Sequence, residues 1–152
     1  MAARSAGILV HRRRGGKLEV LLVHPGGPLW AKRDRGAWSI PKGEYGADED
    51  GLAAARREFA EELGLPAPEG PVADLGEVRL KSGKRVQAWS VAGDLDVGVI
   101  TSNTFELEWP PRSGRTIDVP EVDRAQWFGL QEARERLNPA QVALLDRLEQ
   151  LS

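Results

Sequence analysis

Cysteine is absent from this 152-residue chain, which removes disulfides, thiolate metal sites and cysteine nucleophiles together. Histidine is scarce: only His11 and His24 occur, which makes a His/Cys zinc site improbable. Neither sign of charge dominates, since 21 basic side chains face 23 acidic ones for a net charge of -2. No overall field therefore grips nucleic acid, and any anionic substrate must be held locally. The opening MAARSAGILVHRRR contains no apolar run long enough for a signal peptide or a membrane span, so a cytoplasmic protein is the expectation. Internal repeats and low-complexity segments are also missing.

What is present fits one globular α/β domain over residues 1–152. Hydrophobic residues make up 41% and charged residues 29%, and 27 Gly and Pro (17 + 10) supply many ordered turns. Ala6 to Val10 and Leu18 to His24 read as strands joined at Gly15-Gly16, an opening hairpin. Arg12, Arg13 and Arg14 at its tip are a solvated basic run or a contact for phosphate or RNA. Residues 25–36, PGGPLWAKRDRG, form a Gly/Pro-punctuated loop carrying Trp30, Lys32, Arg33 and Arg35. Trp30 either stacks on a base or covers the core edge, and Arg33 and Arg35 have the forked geometry that pairs with phosphate oxygens. Ala37 to Pro41 is predicted as a short strand ended by Pro41. Val72 to Leu80 and Arg85 to Ala92 flank KSGK as a second hairpin, with Trp89 in the core or lining a pocket. Residues 94–118 lack periodicity and read as irregular, with one short strand near Phe105 to Trp109. A last strand follows from Val119, with Trp127 and Phe128 buried. Helices then run over Gln131 to Leu137 and Pro139 to Leu151, the second with a stripe of Leu144, Leu145, Leu148 and Leu151.

The densest stretch is Gly43 to Leu65, GEYGADEDGLAAARREFAEELGL, with seven carboxylates in twenty-three residues. A helix over Asp50 to Leu63 is predicted, capped by Asp48 or Asp50 and stopped by Gly64 ahead of Pro66. At about 100° per residue, Glu58, Glu61 and Glu62 converge on one face, while Leu52, Ala55, Phe59 and Leu63 form a separate packing stripe. Like charges at this spacing repel by a few tenths of a kcal/mol per pair. Read alone, the acidic face belongs to a solvated amphipathic helix or to the site of a divalent cation such as Mg2+, which favours carboxylate oxygens and phosphate chemistry.

The stretch resembles the Nudix box: a Gly, five residues, Glu, seven residues, Arg-Glu, an apolar residue, any residue, Glu-Glu, any residue, Gly and an apolar residue. Gly43, Glu49, Arg57, Glu58, Phe59, Glu61, Glu62, Gly64 and Leu65 fill every fixed position. The resemblance implies the Nudix α/β/α sandwich, a mixed sheet between the box helix and a C-terminal helix. It also implies a hydrolase that cuts a diphosphate linkage in a nucleoside triphosphate or dinucleoside polyphosphate by water attack on phosphorus. Other activities within the resemblance are hydrolysis of diphosphoinositol polyphosphates or nucleotide sugars, and non-catalytic nucleotide binding. The expected partner is a small phosphorylated molecule, with no membrane, no stable nucleic-acid binding and an open oligomeric state.

By position in the box, the resemblance makes Glu58, Glu61 and Glu62 ligands of Mg2+ or Mn2+, with a backbone carbonyl of Lys42 or Gly43 completing the shell. Arg57 would pair with Glu49, which orients the acids or holds metal through water. The base that deprotonates water varies in the family. Glu61 and Glu62 are candidates, followed by Glu106, Glu108 and Glu121, with Glu106 favoured because its irregular segment can reach the box helix. WSIPKGE, residues 38–44, looks like the strand-to-box junction of enzymes cutting dinucleoside or diphosphoinositol polyphosphates. It would make Lys42 a phosphate contact, with Arg33, Arg35, Lys81, Lys84 or Arg112 assisting.

Overall fold

The computed structural model describes residues 4–151, the side chain of Val99 excepted. Residues 1–3, part of the N-terminal stretch read above for a leader, and residue 152 lie outside it. Strands β1 (Arg4–Arg14) and β2 (Lys17–Pro25) form the expected hairpin, turning on Gly15 and Gly16, whose φ angles of 59° and 79° suit glycine. A short β3 (Lys42–Glu44) precedes helix α1 (Gly51–Leu63). The second hairpin is β4 (Val72–Arg79) and β5 (Arg85–Ala92), and β6 (Thr104–Glu108) pairs with β7 (Thr116–Pro120) as a separate ribbon. Strand β8 (Val122–Gly129) leads into α2 (Leu130–Arg136), and after a 3-10 turn at Pro139–Gln141 the described chain closes on α3 (Val142–Leu151).

The main sheet runs β4-β5-β1-β2-β8, and β3 pairs with β1. The β1–β5 pairing is parallel and the others antiparallel, so the sheet is mixed. The apolar runs of β1 and β2 feed both faces, as alternation along a strand requires. Ile8, Val10, Leu21 and Val23 pack with Ala54, Ala55, Phe59 and Leu63 of α1. Leu9, Val20 and Leu22 point the other way, onto Phe128 and the Leu144, Leu145 and Leu148 stripe of α3. Both layers of the sandwich therefore hang on one hairpin. No helix among the described residues is long and apolar enough to cross a membrane.

One topological detail opens the functional cleft. β5 occupies one edge of β1 from Arg4 to His11, and the other edge is shared. β3 takes Ser5 to Gly7, and β2 pairs from His11 onward. Between them the chain bridges with single bonds: Ile8 N donates to the Pro41 carbonyl at 3.1 Å, and Ser39 and Val23 exchange bonds of 2.8 and 2.9 Å. The space between β2 and β3 is the cleft described below.

Several expectations need correction. Ala37 to Pro41 is not a strand of the sheet but a strap making isolated bridges to Val23 and Leu137, and pairing begins after Pro41 instead of ending there. Residues 94–118 contain the start of a second strand, β7, because β6 finds its partner locally across a hairpin. The last strand begins at Val122, and of the two aromatics expected inside it Phe128 is buried while Trp127 is half-buried, its indole N–H donating to the Leu95 carbonyl at 3.1 Å. On α1, Ala54 joins the buried stripe and Leu52 stays half-exposed.

The caps of α1 follow the sequence. Asp50 accepts from Ala53 N at 3.0 Å, and Gly64 closes the helix at φ 71°, donating to the Ala60 carbonyl at 2.7 Å. A side chain at residue 64 is excluded twice, by that left-handed φ and by the Thr101 carbonyl, 2.5 Å from where a Cβ would lie. Gly64→Ala is expected to lower stability by about 1–3 kcal/mol, measured by urea unfolding; an unchanged midpoint would contradict the close approach.

Candidate active site

The site starts from α1. Arg57 makes a forked pair with Glu49, Nε to Oε2 at 2.9 Å and Nη2 to Oε1 at 3.1 Å, and its Nη1 donates to Glu58 at 2.8 Å and Glu61 at 3.5 Å. Glu49 first and then Glu58 hold the guanidinium more firmly protonated than usual. Arg57 thus joins the loop before the helix to the acidic face, the coupling expected from the sequence.

The Glu58 carboxylate lies directly on Gly43. A Cβ at residue 43 would fall 2.0 Å from its Cδ and Oε2, so any side chain here would displace the carboxylate from this place. Burial pushes the Glu58 carboxyl above the usual range against the pull of Arg57, and the charge of Glu61 pushes the same way. Glu62 turns toward the strap, accepting from Lys42 N at 3.1 Å. Its burial outweighs that bond and raises its carboxyl to about 8. The Lys42 ammonium is pushed down, first by burial and then by Lys84.

Glu121 completes the acidic wall. Its backbone is pinned on both sides, N–H to the Asn103 carbonyl at 2.8 Å and carbonyl to Gly26 N at 3.2 Å, while Asn103 N donates to the Glu61 carbonyl at 3.0 Å. Burial raises the Glu121 carboxyl, and the charges of Glu58 and Glu61 add to the rise. Glu62, Glu121, Lys42 and Trp30 all line one cleft of about 210 Å³ between β2 and β3. Its inner wall contains Trp38, Asn138 and Gln141. The buried Gln141 receives Ile40 N at 3.0 Å and donates to Ser39 Oγ at 3.0 Å, which fixes the strap.

The loop bearing Trp30 is fastened through His24. This buried ring meets Asp123 Oδ1 at 2.9 Å from Nδ1 and the Arg33 carbonyl at 2.5 Å from Nε2. These two contacts tie β2 to the Trp30 loop on one side and to Asp123 of β8 on the other. Nothing in the sequence marks His24 for this role, because its partners are nine and ninety-nine residues away.

The remaining candidates separate. The Arg33 guanidinium sits 5.5 Å from the Trp30 ring centre, near the mouth. Arg35 points outward, 3.8 Å from Glu135, and lines a different depression beside α2. Glu106 and Glu108 are exposed on β6, Glu106 opposite Asp118 in the ribbon and Glu108 receiving Arg112 N at 2.9 Å; Arg112 is exposed as well. Lys84 lies beside Lys42 and 3.5 Å from Glu44, whereas Lys81 is exposed on the hairpin turn.

The donor set suits a hard divalent cation: carboxylates at reduced hydration, mutually repelling and partly balanced by Arg57 and Lys42. Among the described residues, no three acids or histidines already meet around one point. Glu58 and Glu61 are turned to Arg57, so rotation away from the guanidinium is what would bring them to an ion.

The raised carboxyls fix a pH dependence. Glu62 has an ordinary value of 4.5 and a folded value of about 8, so between these the folded state binds more protons and stability falls as pH rises. The metal-free protein is expected to lose on the order of 5 °C in Tm between pH 5 and 8. Glu62→Gln should flatten most of that slope in calorimetric scans, and a slope of opposite sign would refute the burial of this carboxyl.

A family model described as the NUDIX domain matches residues 1–148. The chain belongs to the NUDIX domain family. Membership makes it a Nudix pyrophosphohydrolase, and enzymes of this family generally use divalent metals. Among solved structures, it is similar to the Caenorhabditis elegans Ap4A hydrolase in a binary complex (TM-score 0.65, 21% identity, covering 99% of this chain and 97% of that one). It is also similar to the NUDIX domain of Shewanella oneidensis NrtR complexed with ADP ribose (TM-score 0.66, 15% identity, 100% and 90% covered). A third is the MutT protein of Methanosarcina mazei Go1 (TM-score 0.61, 20% identity, 99% and 94% covered). At these identities the likeness is one of fold. A search of curated proteins finds no match.

Proposed function

We propose that this Nudix chain hydrolyses a diphosphate linkage in a nucleoside polyphosphate, a nucleoside triphosphate or dinucleoside polyphosphate, with Mg2+ or Mn2+. The observation that carries this is the composition of one cleft, which Glu62, Glu121, Lys42 and Trp30 line together. Glu58, Glu61 and Glu62 would hold the ion, which supplies charge neutralisation at the phosphate oxygens. Lys42 contacts a phosphate, Arg57 and Glu49 orient the acids, and Trp30 meets the base. In the reaction a water oxygen bonds to phosphorus, the bridging P–O bond breaks, and the water proton passes to a carboxylate. Glu121, which faces the cleft, replaces Glu106 as the later-loop candidate for that acceptor.

The fold relatives offer a chemical parallel. One is an Ap4A hydrolase and another is complexed with ADP ribose, and both of these molecules carry adenosine on linked phosphates. The test is a panel of nucleoside tri- and diphosphates, dinucleoside polyphosphates and nucleotide sugars with Mg2+ or Mn2+, products resolved by ion exchange. Cleavage of a nucleoside polyphosphate that stops on chelation is the expected result. Cleavage of none of them would overturn the reading.

A further inference from the structure

Among the described residues, five large apolar side chains are exposed: Leu29, Trp30, Phe105, Ile117 and Leu151. Apart from Leu151 at the end of α3, they lie on two segments that touch. Register explains this for the ribbon. Phe105 is paired with Val119 and Leu107 with Ile117, and residues directly opposite in an antiparallel pair share a face. One face is therefore Phe105, Leu107, Ile117 and Val119. The other carries Thr104, Glu106, Glu108, Thr116 and Asp118. A two-stranded ribbon with one apolar face ordinarily covers that face.

The root of the apolar face is covered, and its cover gives its direction. Val119 is buried, with its Cγ1 2.7 Å from where a Cβ on Gly27 would lie. Three residues later in the same loop is Trp30, whose N–H donates to the Gly27 carbonyl at 3.2 Å. From the root outward, Phe105 at 43% and Ile117 at 39% exposure stay open, as does Trp30 at 37%. The face thus turns toward the Trp30 loop, and the ribbon ends at Glu121 in the cleft wall. Trp30 and Glu121 both line the cleft, so the patch and the cleft share the Trp30 loop and the root of the ribbon.

We infer that the apolar face of β6–β7, with Phe105 at its centre, and Trp30 form the two walls of a clamp for the aromatic base of the substrate. This rests on the proposed nucleotide chemistry and assigns its specificity. An aromatic ring is the occupant because an indole and a phenyl ring bind flat π-faces without demanding a hydrogen-bond pattern. The acids of the ribbon lie on the opposite face, so the clamp itself adds no repulsion toward the phosphates.

The test measures binding, not turnover. Calorimetry with Mg2+ compares a methylene-bridged adenosine triphosphate analogue with inorganic tripolyphosphate, for wild type, Phe105→Ala, Ile117→Ala and Phe105→Trp. The two alanine variants should weaken the analogue by about three- to tenfold and leave tripolyphosphate unchanged, while Phe105→Trp retains affinity. Equal weakening of both ligands, no weakening of either, or a wild type that does not bind the analogue overturns the clamp. So does an alanine variant whose only effect in sedimentation is to split a dimer, which would show a second copy covering the ribbon. The clamp and the reaction fail separately: base-dependent binding without phosphate release sinks only the hydrolysis, whereas hydrolysis indifferent to Phe105 and Ile117 sinks only the clamp.

Discussion

Replacing Glu62 by Gln is expected to lower kcat/KM on a cleaved nucleotide by about 10²–10⁴-fold while the fold survives. The change is isosteric, and the amide oxygen can still accept from Lys42 N, which fixes the side chain at 3.1 Å. What it removes is the negative charge of a carboxyl that burial already holds at about 8. Without a cation that group is largely protonated at neutral pH, so an ion that displaces the proton gains a strong ligand. The variant should accordingly melt higher than wild type at pH 8 without metal, yet gain less from added Mg2+. The same substitution at Glu61 should also reduce turnover, since that side chain needs only to leave its longer 3.5 Å contact with Arg57. Wild-type turnover in either variant would remove that residue from the metal site.

Gly43→Ala is the second large effect, and it separates activity from stability. A methyl group there collides at 2.0 Å with the Glu58 carboxyl group and at 2.6 Å with its Cγ. The obstacle is the end of a flexible side chain, so Glu58 yields by rotating out. The stability cost should stay below about 2 kcal/mol, but a ligand displaced by an ångström or more costs about 10²-fold in kcat/KM. Kinetics and urea unfolding on one preparation check the split. A variant that keeps its activity would mean that Glu58 does not act from its place on Gly43.

Much of this was legible in the residues, and the reasons differ by element. The opening hairpin announced itself because Gly15-Gly16 interrupts two apolar runs, and α1 because its caps, its stripe and its acids obey one helical period. Glu58, Glu61 and Glu62 fall within about one turn of α1 for the same reason, since a helix fixes side-chain directions from spacing alone, although they do not meet around one point. The strap over residues 37–41 misled because Trp38 and Ile40 are buried in alternation like a strand, yet their backbone bonds go to Arg136, Asn138 and Gln141, contacts that no local pattern encodes. Ranking Glu106 above Glu121 failed to anticipate the cleft for a related reason. Glu106 sits in the aperiodic stretch and Glu121 in the run read as the last strand, and only the β6–β7 register shows that the first lies out on the ribbon and the second at its root. The residues that fix the strap and the Trp30 loop are harder still to read, since Gln141 and His24 reach partners a hundred or so residues distant.

The shared edge of β1 has a consequence for how the enzyme comes into being. β1 must find β5, some eighty residues further on, before the strand that supports β3 is secured. Parallel pairing over such a separation is slow compared with a hairpin or a helix. A nascent chain that has emerged only through the box therefore carries all its box acids without a pocket to hold them. Affinity for divalent ions should appear late in refolding, together with the sheet, and not with the first helical signal.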